Sequence, residues 1–351
     1  MARLLIPTNP CSKRNKRLES IRELKAVAKR YPQHEIIFIE IPIATSGHPQ
    51  DIVEAYATAM RPYLVQGNID GLLGNSGDSG HLYIDSALGR LGYLHLPQGN
   101  LRGGTVNERG ENSNFPHRSI RNRLWGPETT NCHTLRIILE AYEEGEPLRT
   151  VPRNLLRVQT TEGVYNPFCV GGGFVTNFFD RYETAGATHP AAIKEILKGA
   201  TQAGVSLLPG INLIDDLKKP CDVKLQIDQR VLTAEQYLGF MITSLDIVMD
   251  FGPLELGVED LIGTKDRPDF RIAYCQEGSL VQLAKNLPRV LGIKRHFTPK
   301  PLKHPDIVTQ NASFVKLTPG EPIHLILDGE LMTFEGPIFI TPSEEVPYIT
   351  I

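Results

Sequence analysis

The chain has 351 residues, of which 41% are hydrophobic and 22% charged, and a formal net charge of -3. That is the composition of a globular protein with room for two domains of ordinary size, and it gives no bulk electrostatic case for nucleic acid as a partner. No segment approaches the ~20 apolar residues of a membrane span, and the apolar run at residues 4–6 breaks too soon for a signal peptide. The five cysteines, at 11, 132, 169, 221 and 275, lie far apart and form no CxxC, against a zinc site or a disulfide framework. A cytoplasmic protein is the expectation.

Residues 1–147 alternate strand and helix patterns. Residues 3–7 read as a short apolar strand stopped at Asn9-Pro10. In 17–30 the apolar positions Leu18, Ile21, Leu24, Ala26 and Val27 recur at a helical period. Residues 35–41 are rich in isoleucine, as a parallel core strand should be. A helix over 49–65 containing Pro62, a strand over 69–73, a helix from about 81, a strand over 92–96 and a helix over 130–144 complete the series. This order predicts a doubly wound parallel sheet, in which ligands bind outside the carboxyl ends of the strands. Asn9, Thr45, residues 74–80 and residues 99–105 all follow predicted strand ends, so four turns converge on one rim.

From 148 to 351 the pattern changes. Short strands at 155–160, 164–170, 223–227, 247–251, 270–274, 312–317, 323–327 and 337–340 are separated by turn residues, with helices at 191–203 and 280–290. That spacing predicts a mostly antiparallel β-sandwich or barrel. The fold class is therefore α/β plus β, an α/β domain over 1–147 followed by a β-rich one over 148–351. An exposed edge on the second sheet makes a homodimer an expectation.

The chemistry concentrates in Gly74-Asn75-Ser76-Gly77-Asp78-Ser79-Gly80. Glycines at a strand-to-helix turn let backbone N–H groups approach a ligand, and a helix N-terminus favours anions. An aspartate there repels phosphate unless a cation lies between them, so the pattern points to phosphate plus metal. Gly77-Asp78-Ser79-Gly80 also spells the nucleophile turn of chymotrypsin-like proteases, but those are β-barrels and this region is βα. The GxSxG elbow is missed at both Ser76 and Ser79. There is no GxxxxGK[ST], GxGxxG or HExxH, and the ten histidines are scattered.

The order of motifs resembles one family, the diacylglycerol kinase catalytic domain, which includes sphingosine kinases and bacterial lipid kinases. Asn9-Pro10-Cys11-Ser12-Lys13 is similar to its NPxSG, and Thr45-Ser46-Gly47-His48 to its threonine before GHA. Ser76-Gly77-Asp78-Ser79-Gly80 lies where the family has GGDGT. Pro97-Gln98-Gly99, then Gly104-Thr105-Val106-Asn107-Glu108, resembles its P-x-GTxND with residues 100–103 inserted. Residues 165–179, with Gly171-Gly172-Gly173, fall where the family has a glycine-rich strand ending in S-x-G-x-D, and Asp328-Gly329-Glu330 matches its late DGE.

The resemblance implies an α/β nucleotide lobe, a β-rich second lobe, a lipid cleft, and transfer of the γ-phosphoryl group of ATP, with Mg²⁺, to a lipid or lipid-like alcohol. The lipid substrate implies transient contact with a membrane surface. Asn9, Ser12, Thr45, Gly77, Ser79, Gly80, Gly104, Thr105 and Asn107 would then hold the nucleotide. Asp78, Asp269 and Asp328 would be metal ligands, with Asp78 and Glu330 catalytic and Glu330 the base toward the acceptor hydroxyl. Such a reaction asks mainly for positioning and charge neutralisation. Ser79 and Gly80 replace the last two residues of GGDGT, and Val175 or a neighbour stands where the headgroup aspartate is expected. Arg102, Arg109, Arg118, Arg121 and Arg123 face only Glu108 and Glu111 in a loop suited either to phosphate or to plain solvent exposure. Two other readings stand beside the lipid kinase: an NAD-kinase-like enzyme, and a nucleotide- or lipid-binding protein that has lost turnover.

Overall fold

The computed structural model describes residues 1–10, 12, 18–42, 48–102, 130–146, 148–184, 219–244, 270–276 and 307–350. The chain divides into two compact units, Met1–Leu155 with Glu344–Ile351, and Leu156–Ser343. Where the sequence suggests one change of pattern after residue 147, the chain re-enters the first unit at Glu344 through its last strand.

The first unit contains β1 (Arg3–Thr8), α1 (Leu18–Ala28), β2 (Glu35–Glu40), α2 (Pro49–Val65), β3 (Gly71–Ser76), α3 (Asp78–Leu91), β4 (Gln98–Arg102) and α4 (Thr130–Glu143). Its strands pair in parallel in the order β2-β1-β3-β4, and the end of the chain's last strand adds Tyr348 beside Gln98, also in parallel. Every residue of β1 after Arg3 is buried, which requires a helical layer on each face. On one face Leu4, Ile6, Leu73 and Leu101 share a core with Leu24 and Val27 of α1 and Leu135, Ile138 and Leu139 of α4. Each such side chain contributes about 1.5–3 kcal/mol on burial. On the other face α2 and α3 pack together, with Tyr56 stacked on Tyr83 at 6.3 Å between ring centroids. There α3 comes down onto Gly74, where an added Cβ would lie 2.3 Å from the His81 ring. Only glycine admits that approach.

The fourth strand differs from its expected place at 92–96. Gly92 is the left-handed C-cap of α3 (φ 78), and the Tyr93 N–H donates to the Leu88 carbonyl at 2.9 Å. The apolar run therefore leaves the helix as a turn, and β4 begins after Pro97, so residues 100–102, expected as an inserted loop, are strand. The third strand extends to Ser76 and α3 starts at Asp78, earlier than expected.

The second unit takes over within β5 (Arg149–Gln159) and continues with β6 (Val164–Tyr165), β7 (Cys169–Gly173), α5 (Phe174–Thr184), β8 (Cys221–Ile227), β9 (Arg230–Val231), β10 (Gln236–Thr243), β11 (Phe270–Gln276), β12 (Ile307–Ala312), β13 (Val315–Pro319), β14 (Ile323–Leu327), β15 (Glu330–Phe334) and the first part of β16 (Ile338–Thr350). The pairing is antiparallel in the order β15-β14-β7-β10-β8-β13-β16, with β11 between β10 and β12. The chain is thus a mixed β protein with a few helices, α/β in its first unit and mostly antiparallel in its second.

Sequence periodicity missed β10, because a register shift between Tyr237 and Gly239 breaks the alternation. It also ran β12 and β13 together over 312–317. There the chain turns at Ser313 and Phe314, whose N–H groups each donate to Asp228 Oδ1 at 3.0 Å. The strand expected over 164–170 is broken into β6 and β7, and residues 174–179 of the stretch likened to a glycine-rich strand are helix. The elements expected at 191–203, 247–251 and 280–290 lie outside the described residues.

Candidate functional site

The carboxyl ends of β1 and β3 meet side by side, Thr8 beside Asn75. The Asn9 N–H donates to the Asn75 carbonyl at 3.2 Å, which carries the pairing one residue past the strand. The Ser12 N–H and Oγ then both donate to the Asn9 carbonyl, at 3.3 and 3.1 Å, and close the turn after Asn9. Asn9 and Ser12, two residues expected to hold the nucleotide, are therefore brought to the same rim as the turn after β3.

That turn is short. Gly77 is the N-cap of α3, extended at φ -83 and ψ 178, and no side chain caps the helix from it. The first intrahelical bond runs from the His81 N–H to the Gly77 carbonyl at 3.1 Å. The N–H groups ahead of it have no partner within the helix, and Asp78 stands at the first helical position. Gly80 belongs to the first turn, where an added Cβ would lie 1.5 Å from Ser76 Oγ and 2.6 Å from Ser76 Cβ. This accounts for one departure from GGDGT. With serine at the motif's first place, its last place has no room for threonine.

The strand ends here also carry buried polar side chains that the motifs do not mark as binding residues. Thr8, Asn75, Ser76 and Asn100 are all buried, with Asn75 Nδ2 donating to Thr8 Oγ1 at 3.5 Å. The available signal was polarity inside otherwise apolar strands. Asp85, on α3, is buried as well and accepts from the Tyr348 hydroxyl at 3.4 Å.

The other predicted residues divide in two. Thr45, Gly104, Thr105, Asn107 and Asp269 lie outside the described residues, as does the arginine-rich loop beyond Arg102. Asp328 and Glu330 belong to the second unit. Asp328 (φ 46) and Gly329 (φ 83) form the two-residue turn between β14 and β15, and both φ values are those of a type I′ hairpin. The Asp328 carboxylate accepts from the Phe168 N–H at 2.9 and 3.1 Å and from the Cys169 N–H at 2.9 Å. Both oxygens are thus engaged by backbone, which gives this carboxylate a structural task in the fold. Glu330 opens β15, half-buried, directly after the turn.

Among the described residues no group of three or more His, Cys, Asp or Glu side chains gathers into a metal site. No described helix is long and apolar enough to cross a membrane. Gly77 offers no side-chain cap and the first N–H groups of α3 have no partner within the helix, a geometry suited to an anion such as phosphate. Magnesium bound through phosphate keeps several waters and takes few protein carboxylates, so one aspartate at the head of the helix suits it.

No family model matches the chain, and no curated protein matches it in sequence. Solved structures do. A diacylglycerol kinase from Bacillus anthracis str. Sterne superposes with a TM-score of 0.58 at 12% identity, over 100% of this chain and 97% of that one. The crystal structure of a candidate diacylglycerol kinase from the same organism gives 0.61 at 13% identity over the same shares. A further candidate diacylglycerol kinase from it gives 0.60 at 13%, again over 100% and 97%. At this identity the likeness is one of fold, and it extends over the whole chain. The chain has the fold of these diacylglycerol kinase structures, in agreement with the order of its motifs.

Proposed function

We propose that this protein is a kinase that transfers the γ-phosphoryl group of ATP, with Mg²⁺, to the hydroxyl of a lipid or lipid-like alcohol of the diacylglycerol or sphingoid class. The observation that carries the reading is the uncapped head of α3, with Asp78 at its first position, in a fold shared end to end with diacylglycerol kinase structures. In this reading the first unit is the nucleotide lobe and the second, β-rich unit the acceptor lobe.

Bound nucleotide and metal supply the transferable group and the charge neutralisation. The remaining tasks fall to the chain. The N–H groups at the head of α3 hold phosphate oxygens, Asn9 and Ser12 hold the nucleotide beside them, and Asp78 fixes the metal. Glu330 takes the proton of the acceptor hydroxyl as its oxygen bonds to the γ-phosphorus and the bond to the bridging oxygen of the leaving diphosphate breaks. A lipid acceptor brings the protein into transient contact with a membrane surface.

Labelled ATP offered with a panel of lipid alcohols tests the proposal, alongside ATP binding by calorimetry. Label in a lipid, dependent on Mg²⁺, is the expected result. No transfer together with no ATP binding sinks it, and label appearing in NADP from NAD would replace it with the NAD-kinase reading.

A further inference from the structure

In GGDGT, which the turn after β3 resembles, the first place is glycine and the last carries a hydroxyl. Here the first place is Ser76 and the last is Gly80, so hydroxyl and glycine have exchanged positions. The structure gives the exchange a geometric meaning. Ser76 Oγ lies 1.5 Å from where a Cβ on residue 80 would be, about one covalent bond length. The serine hydroxyl thus fills the space that a side chain at position 80 would take, against the first turn of α3.

That hydroxyl is buried, with Ser76 only 1% exposed, and it has no hydrogen-bond partner among the described residues. A second donor stands on the next strand. Asn100 is registered with Gly74 and shares the α3-facing side of the sheet with Ser76; it is 6% exposed, and its Nδ2 is likewise without a partner. Leaving buried donors unsatisfied is costly, and the uncapped N–H groups of α3 are donors too. Ser76 Oγ, Asn100 Nδ2 and the first N–H groups of α3 are all donors that an acceptor oxygen would satisfy. A phosphate oxygen accepts hydrogen bonds and donates none.

We propose that Ser76 delivers from the end of β3 the hydroxyl that the motif carries on the helix, and that with Asn100 Nδ2 it donates to a phosphate oxygen bound at the N-terminus of α3. The inference rests on the reading of this corner as a phosphate site. It adds two binding residues to that site and assigns the swapped turn a preserved donor in place of a lost one. The ligand class is a phosphate anhydride, such as a nucleoside diphosphate.

Calorimetry with Mg²⁺–ADP, pyrophosphate and adenosine tests it on the full chain. Ser76→Ala and Ser76→Gly should each weaken ADP and pyrophosphate about tenfold or more while leaving adenosine unchanged. Asn100→Ala should do the same. The exchange Ser76→Gly with Gly80→Thr should bring ADP affinity back to within about threefold of the original, because the hydroxyl returns from the helix side. A misfolded variant would lose adenosine as well, so the adenosine titration separates folding from contact. ADP binding by Ser76→Ala and Asn100→Ala equal to that of the unaltered protein overturns the inference and leaves the phosphate site standing. An unaltered protein that binds neither ADP nor pyrophosphate overturns both.

Discussion

Ser76 and Gly80 contend for one space at the head of α3, since a methyl group on residue 80 would come within 1.5 Å of the serine oxygen. Gly80→Ala must displace either the buried serine or the helix, and such overpacking costs about 1–3 kcal/mol. Urea denaturation should show a loss of that size. Ser76→Gly made in the same chain should recover much of it, beyond what the two single changes add to, because the clash needs both side chains.

Asp328 ties the β14–β15 turn to the start of β7 by three hydrogen bonds from the N–H groups of Phe168 and Cys169. Asp328→Ala strands both donors and should cost about 2–4 kcal/mol by denaturant unfolding. Asp328→Asn keeps an acceptor and should cost less. A stability unchanged by Asp328→Ala would refute the structural role given to this carboxylate.

His34 carries a pH dependence. Its Nδ1 accepts the Ala2 N–H at 2.9 Å, and its ring lies near those of Tyr31 and Tyr142. Burial holds its pKa below the ordinary 6.5. The unfolded chain then takes up a proton before the folded one does. The contribution of His34 to stability is full above pH 6.5 and is lost as pH falls through the lower folded value. Unfolding midpoints taken from about pH 7.5 to about pH 5 should fall with pH, and His34→Asn, whose side-chain carbonyl can accept the same N–H without titrating, should flatten that part of the slope.

Cys221 sits buried in β8, and burial pushes its thiol up to about 12. The thiolate is the reactive form, so iodoacetamide at about pH 8 should leave Cys221 unmodified in the native protein and label it only on unfolding. Peptide mass mapping before and after denaturation reads this directly.

The parts legible in the sequence were those that local pattern encodes. β1 and β2 could be read from unbroken apolar runs, α2 through its Pro62, and the turn at Gly77-Asp78 from its glycines and carboxylate. Asp328-Gly329 carries the residues of a tight turn, yet its purpose is not legible, because the carboxylate bonds to a backbone 160 residues away in sequence. β10 was hidden by its bulge at Tyr237, and β4 by a more apolar neighbour that turned out to be a helix exit. Ser76, Asn75 and Asn100 were not legible as binding side chains for a different reason. Their importance lies in being polar and buried at once, and only the first of those is written in the sequence.

In the proposed function the head of α3 works as the metal and phosphate corner of a kinase. The most direct measurement is the rate of phosphoryl transfer from γ-labelled ATP to diacylglycerol or sphingosine dispersed in phosphatidylcholine vesicles, compared between the unaltered protein and Asp78→Asn. The expected result is Mg²⁺-dependent label in a lipid for the unaltered protein and a rate about a hundredfold or more lower for Asp78→Asn, with the unfolding midpoint little changed. Equal rates for the two proteins, or ATP binding with no lipid labelled by either, would contradict it.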